Sequence, residues 1–270
     1  MNSTIVEKTI NKIDDLFPIL KERAFHKTLE RHRSSFLYRG LSDNAYFLQT
    51  SLYRNCANKQ QDVEESILRN FTKYAAKEDV SINSSIWRQM VIGQHHGLPT
   101  RLLDWSYSPL IGLHFAVSEY DLKYMDNHDC ILWQIDIREV NDKLPTRYKD
   151  LLEKHSAHLF TLDMLDELDL SLSQYDIDMD TNAIILIEPP SIDLRIINQY
   201  SYFSVVPMKV TNLETFLDAH TNNTVKYIIN KNIRWEIRDM LDQCNINERM
   251  AFPGLDGISK WISRYYYVRR

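Results

Sequence analysis

From Ile5 to Leu29 the apolar side chains recur every three or four positions, at Ile10, Ile13, Leu16, Phe17 and Leu20, which predicts an amphipathic opening helix. The pattern then changes to Phe36–Leu37–Tyr38–Arg39–Gly40–Leu41, aromatic and apolar with one arginine inside, the signature of a buried strand ending at a glycine. Helical spacing returns over Val63–Ala76 and Ser84–His95, the latter with Ile86, Met90 and Ile92 on one face, and Gly97–Leu98–Pro99 breaks it. Beyond Leu102–Leu103–Asp104–Trp105, either Ser106 or Ser108 can cap a helix with Pro109 in its first turn. That helix, Pro109–Glu119, is almost wholly apolar and so is expected to be central. Strands are predicted at Cys130–Ile137, Ala183–Glu188, Tyr202–Val206 and Val225–Ile229, the last leading into a helix over Asn232–Gln243. Without a regular strand–helix alternation the expected class is α+β with a mixed sheet. No repeat, low-complexity tract or linker interrupts the chain, so one domain over 1–270 is expected, an N-terminal helical region (1–33) preceding a core (34–270).

Composition narrows this little. The 270 residues are 44% hydrophobic and 26% charged, ordinary globular values. Cys56, Cys130 and Cys244 lie far apart, which argues against a disulfide framework or a paired-cysteine metal site and for a reducing cytoplasm. No apolar run approaches the roughly 20 residues of a membrane span, so no membrane partner is expected. The net charge of −5 draws no polyanion globally, but the charge is uneven: seven carboxylates and no Lys or Arg between His155 and Asp180, a basic stretch from Lys21 to Arg33, and a basic end, Val268–Arg269–Arg270. Each reads first as a solvated face, and a nucleic-acid substrate would have to meet a local basic surface.

Two segments carry candidate chemistry. Arg39, inside an apolar strand, needs a partner, because an unpaired buried charge costs several kcal/mol, of order 3 or more. Asp104 would serve as that partner; alternatively the guanidinium binds a phosphate or carboxylate of a ligand. The second segment, Gln94–His95–His96–Gly97–Leu98–Pro99–Thr100–Arg101–Leu102–Leu103–Asp104–Trp105–Ser106, sets polar groups between two apolar helices, which implies a hydrogen-bond network or a site. Adjacent histidines on a helix point about 100° apart, so His95 and His96 make a poor metal pair and no metal is expected. No glycine-rich phosphate loop, nucleophile elbow or zinc-protease motif is present. Arg101 and Asp104 also read as a structural pair.

Tyr38–Arg39–Gly40, followed by Gln94 through Pro109 and then Leu110 to Ala116, resembles the FRG family over a long and specific block, departing at Gly112, where alanine is usual. Two weaker stretches are similar to the same family: Glu188–Pro189–Pro190 with Arg195, Ile196 and Gln199, and Ala251–Phe252–Pro253–Gly254–Leu255–Asp256–Gly257–Ile258. The order of parts in turn resembles the ADP-ribosyltransferase superfamily. That resemblance implies a split-sheet core with NAD as co-substrate, held by Tyr38, Arg39 and Gly40 and supported by Thr100, Arg101, Ser106 and Ser108. It implies catalytic roles for Arg39, His95, Asp104 and Gln199, with Glu188 and Glu248 as rival third groups. It further implies a macromolecular acceptor (RNA, DNA or protein), a neutralising antitoxin protein, and a place in toxin–antitoxin or anti-phage defence systems. Exposed Tyr265–Tyr266–Tyr267 is one candidate contact for such a partner.

Two other functions compete. One is a non-enzymatic nucleotide- or RNA-binding module in which Arg39, Arg101 and Asp104 form an internal network. The other is a metal-independent nuclease using His95 or His96 with Arg101.

Overall fold

The strand that carries the arginine of the aromatic segment lies at the middle of the sheet. In the computed structural model, residues 3–119 and 121–269 are described. Among them the strands are β1 Val6–Ile10, β2 Ala24–His26, β3 Arg31–Arg33, β4 Phe36–Leu41, β5 Leu102–Ser106, β6 Cys130–Asp136, β7 Ile185–Ile187, β8 Ser201–Val205 and β9 Val225–Ile229. Seven of them form one mixed sheet in the order β1-β9-β6-β4-β5-β8-β7, and β2 pairs with β3 in a separate hairpin. Between these strands only the β1–β9 pairing is parallel. Every residue of β6 is buried, as a strand covered on both faces must be.

Helices cover both faces: α1 Phe17–Lys21, α2 Ser51–Cys56, α3 Gln60–Ala75, α4 Ile86–His95, α5 Pro109–Val117, α6 Ile137–Asn141, α7 Thr146–Lys154, α8 Leu162–Asp166, α9 Leu172–Met179, α10 Leu194–Gln199, α11 Leu213–His220, α12 Arg234–Gln243, α13 Glu248–Ala251 and α14 Leu255–Tyr265. On one side of the sheet a continuous core joins Leu37, Trp133 and Ile135 to Trp105, Leu186 and Tyr202, with Phe216 and Leu217 of α11 above them. The other side is divided. Phe36, Tyr38, Leu132 and Tyr227 pack with Leu113 and Val117 of α5 and Ile237 of α12. Leu102, Ile185, Phe203 and Val205 pack instead with Trp87 and Met90 of α4 and Tyr175 of α9.

The α+β class and mixed sheet are as the pattern predicts, but the N-terminal region is not a helix. Its residues supply β1, a 3-10 turn over Ile13–Leu16, the five-residue α1 and the β2–β3 hairpin. Val6 to Ile10 pair in register with Val225 to Ile229, so a sheet edge satisfies a backbone that the apolar spacing assigned to a helix. The Asp15 carboxylate accepts from the Asn11 and Lys12 N–H groups and starts the turn there. Pro18 falls in the first turn of α1, the place where a missing N–H does least harm. The basic stretch lies partly on the exposed hairpin, as a solvated face; at the two ends of the chain, Met1 and Arg270 lie outside the described residues. No helix among the described residues is long and apolar enough to cross a membrane.

Behind α5, Arg234 and Arg238 are fully buried and pair with no carboxylate among the described residues. Arg234 donates to the carbonyls of His128 (2.7 Å) and Ala116 (3.4 Å). Arg238 donates to His114 Nδ1 (2.9 Å), the Ser118 hydroxyl (3.1 Å) and the Ile246 carbonyl (3.1 Å). Both cations therefore sit at the C-terminal end of α5, where its unpaired carbonyls and dipole favour positive charge. Burial, then the neighbouring Arg238 charge, pushes the His114 pKa down to about 3.

An unfolded histidine titrates near 6.5, so between about 6.5 and 3 the unfolded chain binds a proton that the folded chain refuses. The stabilisation is complete above that window and drains away as pH falls. Urea unfolding is expected to show about 2 kcal/mol less stability at pH 5 than at pH 7, and His114→Gln, which keeps an acceptor for Arg238, should flatten the slope. An unchanged slope in the variant would refute this assignment.

Candidate functional site

β4 and β5 share a single register pair, Tyr38 with Ser106, whereas β4 pairs with β6 along its whole length. At this parting in the sheet a cavity of about 590 Å³ opens, lined by residues of β4, β5 and α10, by the loop after β4, by Arg54 of α2 and by Phe115 of α5. Its size suits a nucleotide-sized ligand, for which sites commonly run about 300–1,000 Å³.

Arg39 is the buried cation of this cavity, its side chain 16% exposed. Nη1 donates to the Asp104 carbonyl at 2.5 Å and lies 3.4 Å from Oδ2 of the same residue, while Nε has no hydrogen-bond partner among the described residues. Burial lowers its pKa, the Asp104 charge works in the opposite direction, and nearby Arg54 lowers it again. The expected structural partner is therefore present, yet it leaves the guanidinium incompletely satisfied. Asp104 is half-exposed to the cavity and accepts from Gln94 Nε2 at 2.9 Å; Gln94 Oε1 in turn accepts from the Thr100 hydroxyl at 2.6 Å.

Arg54 and Arg195 add two more cations to the lining, against which Asp104 is the sole lining carboxylate among the described residues. Arg54 Nη1 donates to the Gln49 carbonyl (2.6 Å) and Arg195 Nη1 to the His95 carbonyl (3.0 Å), so backbone oxygens position both. The cavity thus has a cationic excess and aromatic walls at Tyr38, Tyr46, Phe47, Trp105 and Phe115. Such a lining is complementary to a phosphate-bearing group attached to a flat ring.

The remaining expected site residues divide. Tyr38, Gly40, Ser106 and Gln199 line the cavity with Arg39 and Asp104. The Ser106 hydroxyl donates to the Gln199 carbonyl (2.7 Å) and accepts from the Ser108 N–H (3.1 Å), tying β5 to α10. Gln199 Nε2 donates to the Ala251 carbonyl (2.9 Å), and Asn198 Nδ2 to that of Met250 (2.8 Å), so the two weaker family-like stretches meet at this wall.

Arg101 corrects the reading that set it in the cofactor site and beside Asp104. It is 2% exposed and bonded to both oxygens of Glu64 and to Asp176 (2.8 Å), outside the cavity lining. Burial opposes its charge, but bonding to Glu64 and then Asp176 outweighs that and raises its pKa. Thr100 is buried and serves Gln94, and Ser108 caps α5 by accepting from the Ile111 N–H (3.4 Å), so neither lines the cavity.

His95 pairs with Asp193 and faces a different groove, with His96. The nuclease set of a histidine with Arg101 is consequently not assembled, and the network proposed for Arg39 with Asp104 does not extend to Arg101. Glu188 is exposed and outside the cavity lining. Glu248 is held by Arg264 at 2.7 and 2.9 Å; burial opposes its charge, but Arg264 and Arg238 hold its pKa down to about 2. Of the three rival third groups only Gln199 reaches the cavity. Arg54, Tyr46 and Phe47 carry no motif that would single them out in sequence, whereas Arg195 stands within a family-like stretch.

Fold and cavity together define an α+β protein with a cationic, aromatic-walled cavity at a parting of its sheet. Residues 34–124 match the family model of the FRG domain, a span that includes Arg39, Arg54, Gln94, Asp104, Ser106 and Phe115. No curated protein and no solved structure matches the chain.

Proposed function

We propose that the chain is an NAD-dependent ADP-ribosyltransferase acting on a macromolecule, with the Arg39 cavity as its NAD site. The observation that carries this reading is the incompletely paired, buried Arg39 guanidinium in a cavity with two further arginines and one carboxylate. A dinucleotide diphosphate supplies the missing charge, and a guanidinium fork matches two of its oxygens at once. The position of the site where β4 and β5 separate fits a strand bearing arginine beside a strand bearing serine.

Transfer breaks the bond between the nicotinamide nitrogen and the ribose carbon, and the bonding pair leaves with neutral nicotinamide. The acceptor oxygen or nitrogen bonds to that carbon from the opposite face and gives up its proton. Asp104, the lining carboxylate, stabilises the positive charge that develops on the ribose and takes that proton. Gln94 fixes the carboxylate's direction. With labelled NAD and cell extract, wild type is expected to release nicotinamide and label a macromolecule, and Asp104→Asn to do so about 10²-fold more slowly. A wild-type protein freed of any partner that neither releases nicotinamide nor transfers label overturns the reading.

A second reading, a non-enzymatic nucleotide-binding module, is favoured by the engagement of the Asp104 side chain with both Gln94 and Arg39. It predicts nucleotide binding with no release of nicotinamide.

A further inference from the structure

The cationic character of the cavity continues onto the surface beside it. Arg195, which lines the cavity, lies over the Phe252 ring at 5.0 Å, and Lys260 lies over the same ring at 5.6 Å. Phe252 meets Phe115, another lining residue, edge to face at 6.2 Å. Farther along the same pair of helices, α13 and α14, Arg249 covers the Trp261 ring at 4.5 Å. On the loop after β4, Tyr46 and Phe47 line the cavity while remaining 48% and 58% exposed.

Arg54, Arg195, Arg249 and Lys260 form no ion pair with any described carboxylate. Arg88, Arg101, Arg138, Arg147 and Arg264, by contrast, each meet a carboxylate, while Arg234 and Arg238 are buried behind α5. Of the carboxylates on α13 and α14, Glu248 is held by Arg264, and Asp256 lies in the first turn of α14. In a protein of net charge −5, a strip of unpaired cations interleaved with aromatic rings is a local departure from the overall charge.

We propose that this strip binds a single-stranded nucleic acid and leads it to the cavity as the acceptor, a proposal that rests on the transferase reading of the site. The cations occupy three places, the cavity lining at Arg54 and Arg195, the Phe252 ring that Arg195 shares with Lys260, and the Trp261 ring under Arg249, which suits several phosphates better than a single anionic side chain. Tyr46 and Phe47 offer ring faces at the mouth on which an unpaired base can stack, and stacking of this kind tolerates any base. A duplex base would first have to leave its stack to reach a recessed site, so an unpaired strand is the better substrate.

The test is fluorescence anisotropy without NAD, using labelled RNA and DNA strands of about 12 nucleotides and the corresponding duplex over a series of salt concentrations. Wild type is expected to bind at least one of the two strands more tightly than the duplex. Arg249→Ala with Lys260→Ala, two exposed positions, is expected to weaken strand binding about tenfold and to reduce the salt slope by roughly 0.7 for each cation removed. Tyr46→Ala with Phe47→Ala should weaken it by about tenfold with the salt slope unchanged.

Nicotinamide release and the destination of the label are read in parallel. Strip-dependent strand binding with label on the strand supports the proposal. Strip-dependent binding without nicotinamide release removes the transferase reading and with it the acceptor role, leaving a nucleic-acid site. Nicotinamide release with label on protein, or strand affinity equal in wild type and both double variants, overturns the inference while the transferase reading survives.

Discussion

On the proposed transferase reading, an Arg39→Ala protein is expected to remain folded and to lose nicotinamide release from NAD by about 10³-fold. Each charge-assisted hydrogen bond from the guanidinium to a phosphate oxygen contributes roughly 1.5–3 kcal/mol, so two together correspond to about 10²- to 10⁴-fold. The effect on stability should be small by comparison. Asp104 loses one partner but is 53% exposed and keeps its bond from Gln94, so the variant leaves no stranded buried charge. Urea unfolding within about 1 kcal/mol of wild type, together with the activity loss, is the expected pair of results. Arg39→Lys should recover little, since one ammonium cannot present the two parallel donors of the fork. Nicotinamide release by Arg39→Ala equal to that of wild type would remove the cavity from the proposed chemistry.

Gly40→Ala is expected to have the largest effect on folding. A Cβ built at Gly40 falls 2.2 Å from the Ala116 nitrogen and 2.2 Å from the Gly112 carbonyl oxygen, both backbone atoms of α5. Neither can rotate away, so the helix itself would have to move off β4, at about 3 kcal/mol or more, and little folded protein is expected. Gly112→Ala provides the contrast. There the added carbon meets Leu132 Cδ1 at 2.7 Å, which can turn aside, and Tyr38 Cβ at 2.9 Å, which cannot, so a smaller shift between helix and strand is still needed. Thermal unfolding should therefore rank wild type above Gly112→Ala and Gly112→Ala well above Gly40→Ala; equal melting for Gly40→Ala and wild type would contradict the close contact. Gly40 lines the cavity, but what requires glycine there is the approach of the helix.

Local periodicity was a sound guide where an element is set by its own residues. β4 and β9 fall at their expected bounds, and α5 is the buried apolar helix that its composition describes. β1 was not legible, because its backbone is satisfied by β9, more than two hundred residues later, and its side chains from Val6 to Thr9 are exposed at the sheet edge. The short helices between Ile137 and Met179 escaped for a related reason, since turns of five to nine residues carry too little periodicity to be read.

The same division runs through the site. Arg39 and Asp104 stand out in sequence because a charge in apolar surroundings demands a partner, and the structure brings them together. Arg101 stands out equally, but its partners Glu64 and Asp176 come from α3 and α9, and only the tertiary fold reveals that they claim it. Arg54, Tyr46 and Phe47 look ordinary until the parting of β4 from β5 turns them toward a common space.

Calorimetric titration of ADP-ribose into wild type and into Arg39→Ala bears on the Arg39 cavity most directly, since it needs no acceptor and no turnover. The proposed NAD site predicts measurable binding to wild type and a loss of about 10²-fold or more in the variant. Equal affinity for the two proteins, or no binding to a folded wild type, would contradict the assignment of the cavity as the nucleotide site.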